Sequence, residues 1–178
     1  EQMEKMEDIS DVLALTGKVG SGSEDDDGLS VIGVNATGEA DEGSYQITVT
    51  SMASPEKMRS NATYDTKNSE VTAGTLEITL DGETDDTVVI TIDEGDSLSA
   101  VVDKINASDA AVNATLIFDG SDYRLQIVAE ENGFTTATAG EAMVITENYT
   151  GGNGSQLGLA EGSSATHAVV NIDGLDME

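Results

Sequence analysis

Residues 74–129 carry a period of two on either side of one short run of helical period, and this alternation constrains the chain more than any other feature. Gly74-Thr-Leu-Glu-Ile-Thr-Leu80 places Leu76, Ile78 and Leu80 on one side and Thr75, Glu77 and Thr79 on the other, the pattern of a strand buried on one face. Asp81-Gly82 ends that run, and after the acids Asp85 and Asp86 a β-branched run from Val88 to Ile92 predicts a second strand and a hairpin. Asp96-Ser97 supplies a capping oxygen, and Leu98, Val101, Val102 and Ile105 then recur at helical spacing, so one apolar stripe lies on a helix set against the sheet. Val112–Phe118 and Tyr123–Ala129 predict a further antiparallel hairpin around the turn Asp119-Gly-Ser-Asp122. The order is β-β-α-β-β, and the fold class is mainly β of the α+β kind.

The flanks read less sharply. Met3, Met6, Ile9, Val12 and Leu13 predict an amphipathic helix from residue 2 to Leu15, stopped near Gly17. Residues 20–28, with Ser21, Gly22, Ser23 and Glu24-Asp-Asp-Asp27, form an acidic flexible linker. Leu29–Thr37 and Ser44–Ser51 predict strands separated by a Gly- and acid-rich turn, with Val31 and either Ile47 or Val49 facing a core. After Pro55, Glu56-Lys-Met-Arg59 suggests one helical turn; Ala142–Thr146 suggests a strand, Gly151–Ser155 a flexible segment, and His167–Ile172 a last strand that returns to the sheet of Ser44–Ser51.

Chemistry is easier to exclude than to find. The only aromatic residues are Phe118, Phe134 and four tyrosines, so the cores are small and aliphatic, and no tryptophan offers a platform for sugar rings. With 35 acids against 7 bases the formal charge is −28, which sets a repulsive field against nucleic acid and anionic membrane; neither is expected as a partner. Such acidity ordinarily keeps a surface solvated, and adaptation to a salty medium is the other reading. Paired carboxylates for glycoside cleavage mean little among so many acids. His167 is the single histidine, which leaves no histidine cluster for zinc and at most one conventional base for a triad; a surface or edge position in a strand is expected of it. Catalytic, cofactor-binding and metal residues are all expected to be none. No cofactor is expected, and the chain is not expected to be an enzyme. Absence of cysteine excludes disulfides and thiol catalysis. Gly151-Gly-Asn-Gly154 lacks the lysine and helix start of a phosphate loop. The Asn-x-Ser/Thr triplets at Asn35, Asn61, Asn106, Asn113, Asn148 and Asn153 are what this composition produces by chance, and they matter only in a host that glycosylates. No long apolar run is present to span a bilayer as a helix, and the opening Glu1-Gln-Met-Glu-Lys-Met-Glu-Asp8 lacks the basic start and apolar centre of a cleaved signal peptide. The chain reads as a fragment.

Gly74-Thr75-Leu76, the Asp96–Asn106 helix, Val112-Asn-Ala-Thr115, Tyr123-Arg-Leu-Gln-Ile127 and Glu131-Asn-Gly133 resemble a module found in the variable parts of bacterial flagellins and in flagellar hook-associated protein 2, the filament cap family (FliD). Gly43–Ala53 with Lys57 resembles that family's upstream Gly-x-Tyr strand, and Ala165–Gly174 its downstream strand. The resemblance implies a head-domain fragment: a helical stalk remnant at 1–19, the linker at 20–28, a discontinuous β head domain at 29–72 and 147–178, and an inserted β-β-α-β-β head domain at 73–146. It implies a structural component at the distal filament tip, extracellular and exported without a cleaved signal peptide. There a homo-oligomeric ring of the full-length protein promotes polymerisation of flagellin subunits. The variable outer domain of a flagellin, or a tip adhesin binding host mucin or glycans, are the alternatives.

The densest oxygen clusters, Asp25-Asp26-Asp27 and Asp81, Glu83, Asp85 and Asp86, match no calcium-loop spacing. Titrating calcium into the chain is therefore expected to release no heat above dilution in a calorimeter.

Overall fold

The computed structural model describes residues 45–80, 87–134 and 142–177. The expected helix at 2–15, the linker at 20–28, the strand at Leu29–Thr37 and the Asp81–Asp86 acids lie outside the described residues.

Each hairpin of the central module forms where its alternation places it. Strands β1 (Ile47–Ser51), β2 (Lys57–Ser60), β3 (Ala73–Leu80) and β4 (Val88–Ile92) precede the helix α1 (Leu98–Asn106); β5 (Val112–Phe118), β6 (Tyr123–Ala129), β7 (Met143–Gly151), β8 (Leu159–Ser163), β9 (Val169–Ile172) and β10 (Leu175–Met177) follow it. In β3, Leu76 and Ile78 are buried while Thr75, Glu77 and Thr79 remain half-exposed, and the register sets Leu76 opposite Ile90 and Ile78 opposite Val88 of β4. In the other hairpin Leu116 faces Leu125, and Ala114 faces Ile127. Its turn is closed by Asp119, whose Oδ1 accepts from the N–H groups of Ser121 and Asp122 at 3.0 and 2.9 Å. Those bonds hold the exposed carboxyl below the usual carboxylate range.

The helix begins where Ser97 Oγ accepts from the Ala100 N–H, and it buries Leu98, Val101 and Ile105. Its last residue does unusual work. Asn106 Nδ2 donates to Ala114 O at 2.9 Å, while Asn106 Oδ1 accepts from Ala114 N–H at 2.7 Å. Because β5 is an edge strand, those Ala114 groups have no neighbouring strand, and the amide side chain substitutes for one rung of the ladder.

Strand pairing crosses the bounds of the expected inserted segment. The described strands form three sheets, ordered β1-β9-β10, β5-β6-β2-β8 and β4-β3-β7. The two module hairpins thus lie in different sheets, and strands from outside residues 73–146 complete one of them: β2 pairs with both β6 and β8. Strand β7 runs past residue 146 to Gly151 along β3. Two-stranded hairpins are marginal alone, so each recruits further strands. One aliphatic core, containing Leu76, Ile78, Ile90, Leu98, Val101, Ile105, Leu125 and Ile127, also takes in Met58, Tyr64, Val71 and Leu157 from the flanks.

The expected helical turn at Glu56–Arg59 is a correction: Glu56 precedes β2, and Lys57, Met58 and Arg59 lie within it. Four residues cannot offset the cost of nucleating a helix, whereas alternating burial of Met58 and Ser60 suits a strand. Ser60 sits inward without penalty because its Oγ donates to Ala62 O at 3.0 Å and accepts from Leu125 N–H at 3.0 Å. Strand β8 replaces part of what reads as loop. The last strand does pair antiparallel with β1, Ile47 opposite Ile172 and Val49 opposite Val170, but it starts at Val169 and turns at Asp173-Gly174 into β10. Asp173 at φ 49° and Gly174 at φ 92° give the left-handed pair that a tight two-residue hairpin turn requires.

Glycine is required at position 74. A Cβ there would overlap the Asn148 carbonyl oxygen and approach Tyr149 Cα to 2.8 Å, where the β3–β7 register shifts.

Leu125 is fully buried at the centre of the core, in a strand paired on both sides. Leu125→Ala is expected to lower unfolding free energy by about 2–5 kcal/mol, read as a lower urea midpoint, whereas Thr115→Ala on the exposed side of β5 stays within roughly 0.5 kcal/mol.

Candidate functional surface

Side chains capable of chemistry serve here to hold the backbone. Lys104, late in α1, donates to Thr91 O at 3.1 Å and pairs with Asp93 and Asp96, both at 2.5 Å, which ties the end of β4 to the helix. Hydrogen bonds to Asp93 and Asp96 raise the Lys104 ammonium above its ordinary range. Burial pushes the Asp96 carboxyl up, but the Lys104 bond, the Asp93 N–H and the lysine charge outweigh it and hold the group low. With the lysine side chain 33% exposed, the clamp is worth no more than about 1 kcal/mol per pair.

A second polar cluster fixes residues 155–159. Glu147 and Tyr149 lie opposite Leu76 and Gly74, on the inward side of β7. Tyr149 donates to Glu147 Oε1 at 2.6 Å and accepts from Leu157 N–H at 2.7 Å; Glu147 Oε2 accepts from Leu159 N–H at 3.0 Å, and Tyr64 donates to Ser155 O at 3.0 Å. These bonds seat Leu157 in the core and start β8. Nearby, the buried Glu56 accepts from Met143 N–H at 2.9 Å, and its backbone oxygen accepts from Ala129 N–H at 3.0 Å. Both carboxylates tie segments together.

His167 precedes β9 and does not lie within it. Its ring is half-buried and packs on Phe134 with centroids 4.0 Å apart and planes tilted by 41°. Among the described residues no group of three or more His, Asp or Glu is placed to hold a metal ion. The Asp25–Asp27 and Asp81–Asp86 clusters lie outside the described residues. An open groove of about 640 Å³ runs along Ala73–Thr75, Thr91–Glu94 and Thr150–Gly152, lined by backbone, three threonines, Ala73, Ile92 and the acids Asp93 and Glu94. No helix of the described residues is long and apolar enough to cross a membrane.

One face of a sheet is exposed and apolar. The register of β1, β9 and β10 puts Ile47, Val49, Val170, Ile172, Leu175 and Met177 on one side of their sheet, and Thr48, Asn171 and Asp176 on the other. Ile47, Leu175 and Met177 are 41%, 66% and 50% exposed, and none of the six belongs to the core cluster. In a chain this acidic, that side carries no charge. At the β5–β6 tip Phe118, 53% exposed, packs on Tyr123 at 4.8 Å.

Comparison with known proteins gives these surfaces a context. A family model described as the flagellin hook IN motif matches residues 75–131, the stretch from β3 to the end of β6. The chain is 32% identical over 105 residues, 58% of its length, to the B-type flagellar hook-associated protein 2 of Pseudomonas aeruginosa. It spans about a fifth (22%) of that relative's length. Among solved structures, FliD (HAP2) of P. aeruginosa PAO1 superimposes with a TM-score of 0.60 at 28% identity, covering 80% of this chain and 68% of that one. The D2-D3 domains of the Escherichia coli flagellar cap protein FliD share the fold, with a TM-score of 0.60 at 23% identity over 80% of this chain and 77% of that one. Small antiparallel sheets around one short helix are thus a fold this chain shares with solved flagellar cap proteins. By sequence and by fold the chain is therefore similar to part of a flagellar hook-associated protein 2.

The tyrosines provide a check on the polar cluster. Burial, and then the Glu147 carboxylate, push the Tyr64 phenol up from 10.0 to about 12; burial and the bond to Glu147 push Tyr149 up as well. A phenol that ionises later in the folded chain keeps its proton when the unfolded chain has lost it, so its stabilisation is complete below pH 10 and lost as pH rises through the folded value. The urea midpoint is expected to fall between pH 10 and 12, and Tyr64→Phe is expected to flatten that fall while lowering the midpoint at neutral pH.

Proposed function

We propose that this chain is a head-domain part of a filament cap at the distal tip of a bacterial flagellum, outside the cell. There the whole protein promotes flagellin polymerisation as a ring of identical subunits and catalyses no reaction. The observation that carries the reading is the likeness to P. aeruginosa FliD over four-fifths of the chain, joined to the hook-associated protein 2 match by sequence. A cap meets a growing lattice end through contact surfaces, and the side chains that elsewhere perform chemistry are here spent on holding strands together. The curated relative is a hook-associated protein and not a flagellin, which favours a cap over a flagellin outer domain.

Charge adds a condition. At −28 per chain, heads brought side by side repel, across about 30 Å at 10 mM salt and about 8 Å at physiological ionic strength. Electron microscopy of the longer protein that contains this segment is expected to show small closed rings, more abundant at 150 mM salt than at 10 mM. A strain lacking that protein is expected to release flagellin into the medium. Long filaments formed by the protein alone would overturn the reading in favour of a flagellin.

A further inference from the structure

The β1-β9-β10 sheet stands apart from the shared core: none of its residues is in the core cluster or among the side chains packed on it. The chain enters and leaves this sheet through residues 52–56, between β1 and β2, and residues 164–168, between β8 and β9. These crossings meet at one antiparallel bridge. Ser54 N–H donates to Thr166 O at 3.0 Å, Thr166 N–H donates to Ser54 O at 3.1 Å, and the two hydroxyls lie 2.9 Å apart. Being open to water, each of these bonds contributes only modestly.

A third segment braces the waist. Just beyond β6, Gly133 N–H donates to the same Ser54 oxygen at 3.1 Å, and Phe134 lies against His167 at 4.0 Å. Gly133 is buried and adopts φ +81°, and a Cβ built there would sit 3.1 Å from His167 Nδ1. The imidazole is therefore held between a glycine backbone and an aromatic ring, two residues before β9 begins. Ala165, beside the bridge, is 2% exposed. Hydrogen bonds and one ring contact thus join Ser54, Gly133, Phe134, Thr166 and His167 where the two crossings meet the segment after β6.

We propose that this waist is a hinge latched by the Gly133–Phe134–His167 contact, which sets the direction in which the uncharged face of Ile47, Val49, Val170, Ile172, Leu175 and Met177 points. Two single-chain crossings absorb the rotation, as hinges at element ends do. The ring pair resists it, because sliding His167 off Phe134 exposes apolar ring area and breaks an aromatic contact. The body keeps its own core whether the latch is closed or open.

The chain has no cysteine, so a label pair can be introduced cleanly. Spin labels at Thr48→Cys on the exposed polar side of β1 and Thr115→Cys on the exposed side of β5 report the sheet-to-body distance by pulsed electron resonance. The unaltered joint is expected to give one narrow distance distribution. His167→Ala and Phe134→Leu, which keeps apolar bulk but no ring, are each expected to widen it at least twofold, while hydrogen exchange at Leu125 and Ile127 stays slow. An unchanged width in both variants overturns the latch. A distribution already broad in the parent overturns it too, because nothing is then being held. Loss of slow exchange in both variants also overturns it, by showing that the two residues support the core itself.

Discussion

The fold depends on the apolar stripe of one nine-residue helix finding partners from two sheets at once. Leu98, Val101 and Ile105 are fully buried, in one cluster with Leu76 and Ile78 from β3 and with Leu125 and Ile127 from β6. Each aliphatic side chain so buried contributes about 1.5–3 kcal/mol, and Tyr64 is the one aromatic among the buried residues of that cluster. A helix this short is unstable alone in water and borrows its stability from the strands. The strands in turn lack a full core without it. That mutual dependence explains why Lys104, Asn106 and Ser97 all spend their polar atoms on fixing where the helix starts, lies and ends.

The central strands and the helix were legible because each element carries its own period. Val88–Ile92, Val112–Phe118 and Tyr123–Ala129 have the limits their alternation indicates, and β3 gains only Ala73. Illegible elements share a different physical cause: their inward side chains are polar and satisfied by distant partners. Ser60 faces inward in β2 because Leu125 N–H, 65 residues away, donates to it. Glu147 and Tyr149 make the second half of β7 look like loop, and only residues 157 and 159 reveal why they turn inward. No local pattern reports such partners. Strand β10 is three residues long and offers almost no periodicity.

Surface features divide in the same way. Strand β9 pairs with β1 as expected of the last strand, but Ile47 and Val49, one or other of which is expected from the sequence to face a core, share an apolar side with Val170 and Ile172 instead. That this side stays outside the shared core is a tertiary fact. So is the contact of His167 with Phe134, since a lone histidine near a strand reads as an ordinary surface residue. Once in place, the ring pair and the Ser54–Thr166 bridge join the residues that lead into and out of the β1-β9-β10 sheet.

The Asn106 amide has a bearing on how the protein is made. Asn106-Ala-Ser108 is an acceptor triplet for N-linked sugar, and the nitrogen that would carry the glycan is the atom bonded to Ala114 O. Attachment there competes directly with closure of the β5 edge. Secretion from yeast or animal cells would thus trap chains modified before they fold with an unsealed strand, whereas a bacterial cytoplasm leaves the amide free to do its structural work.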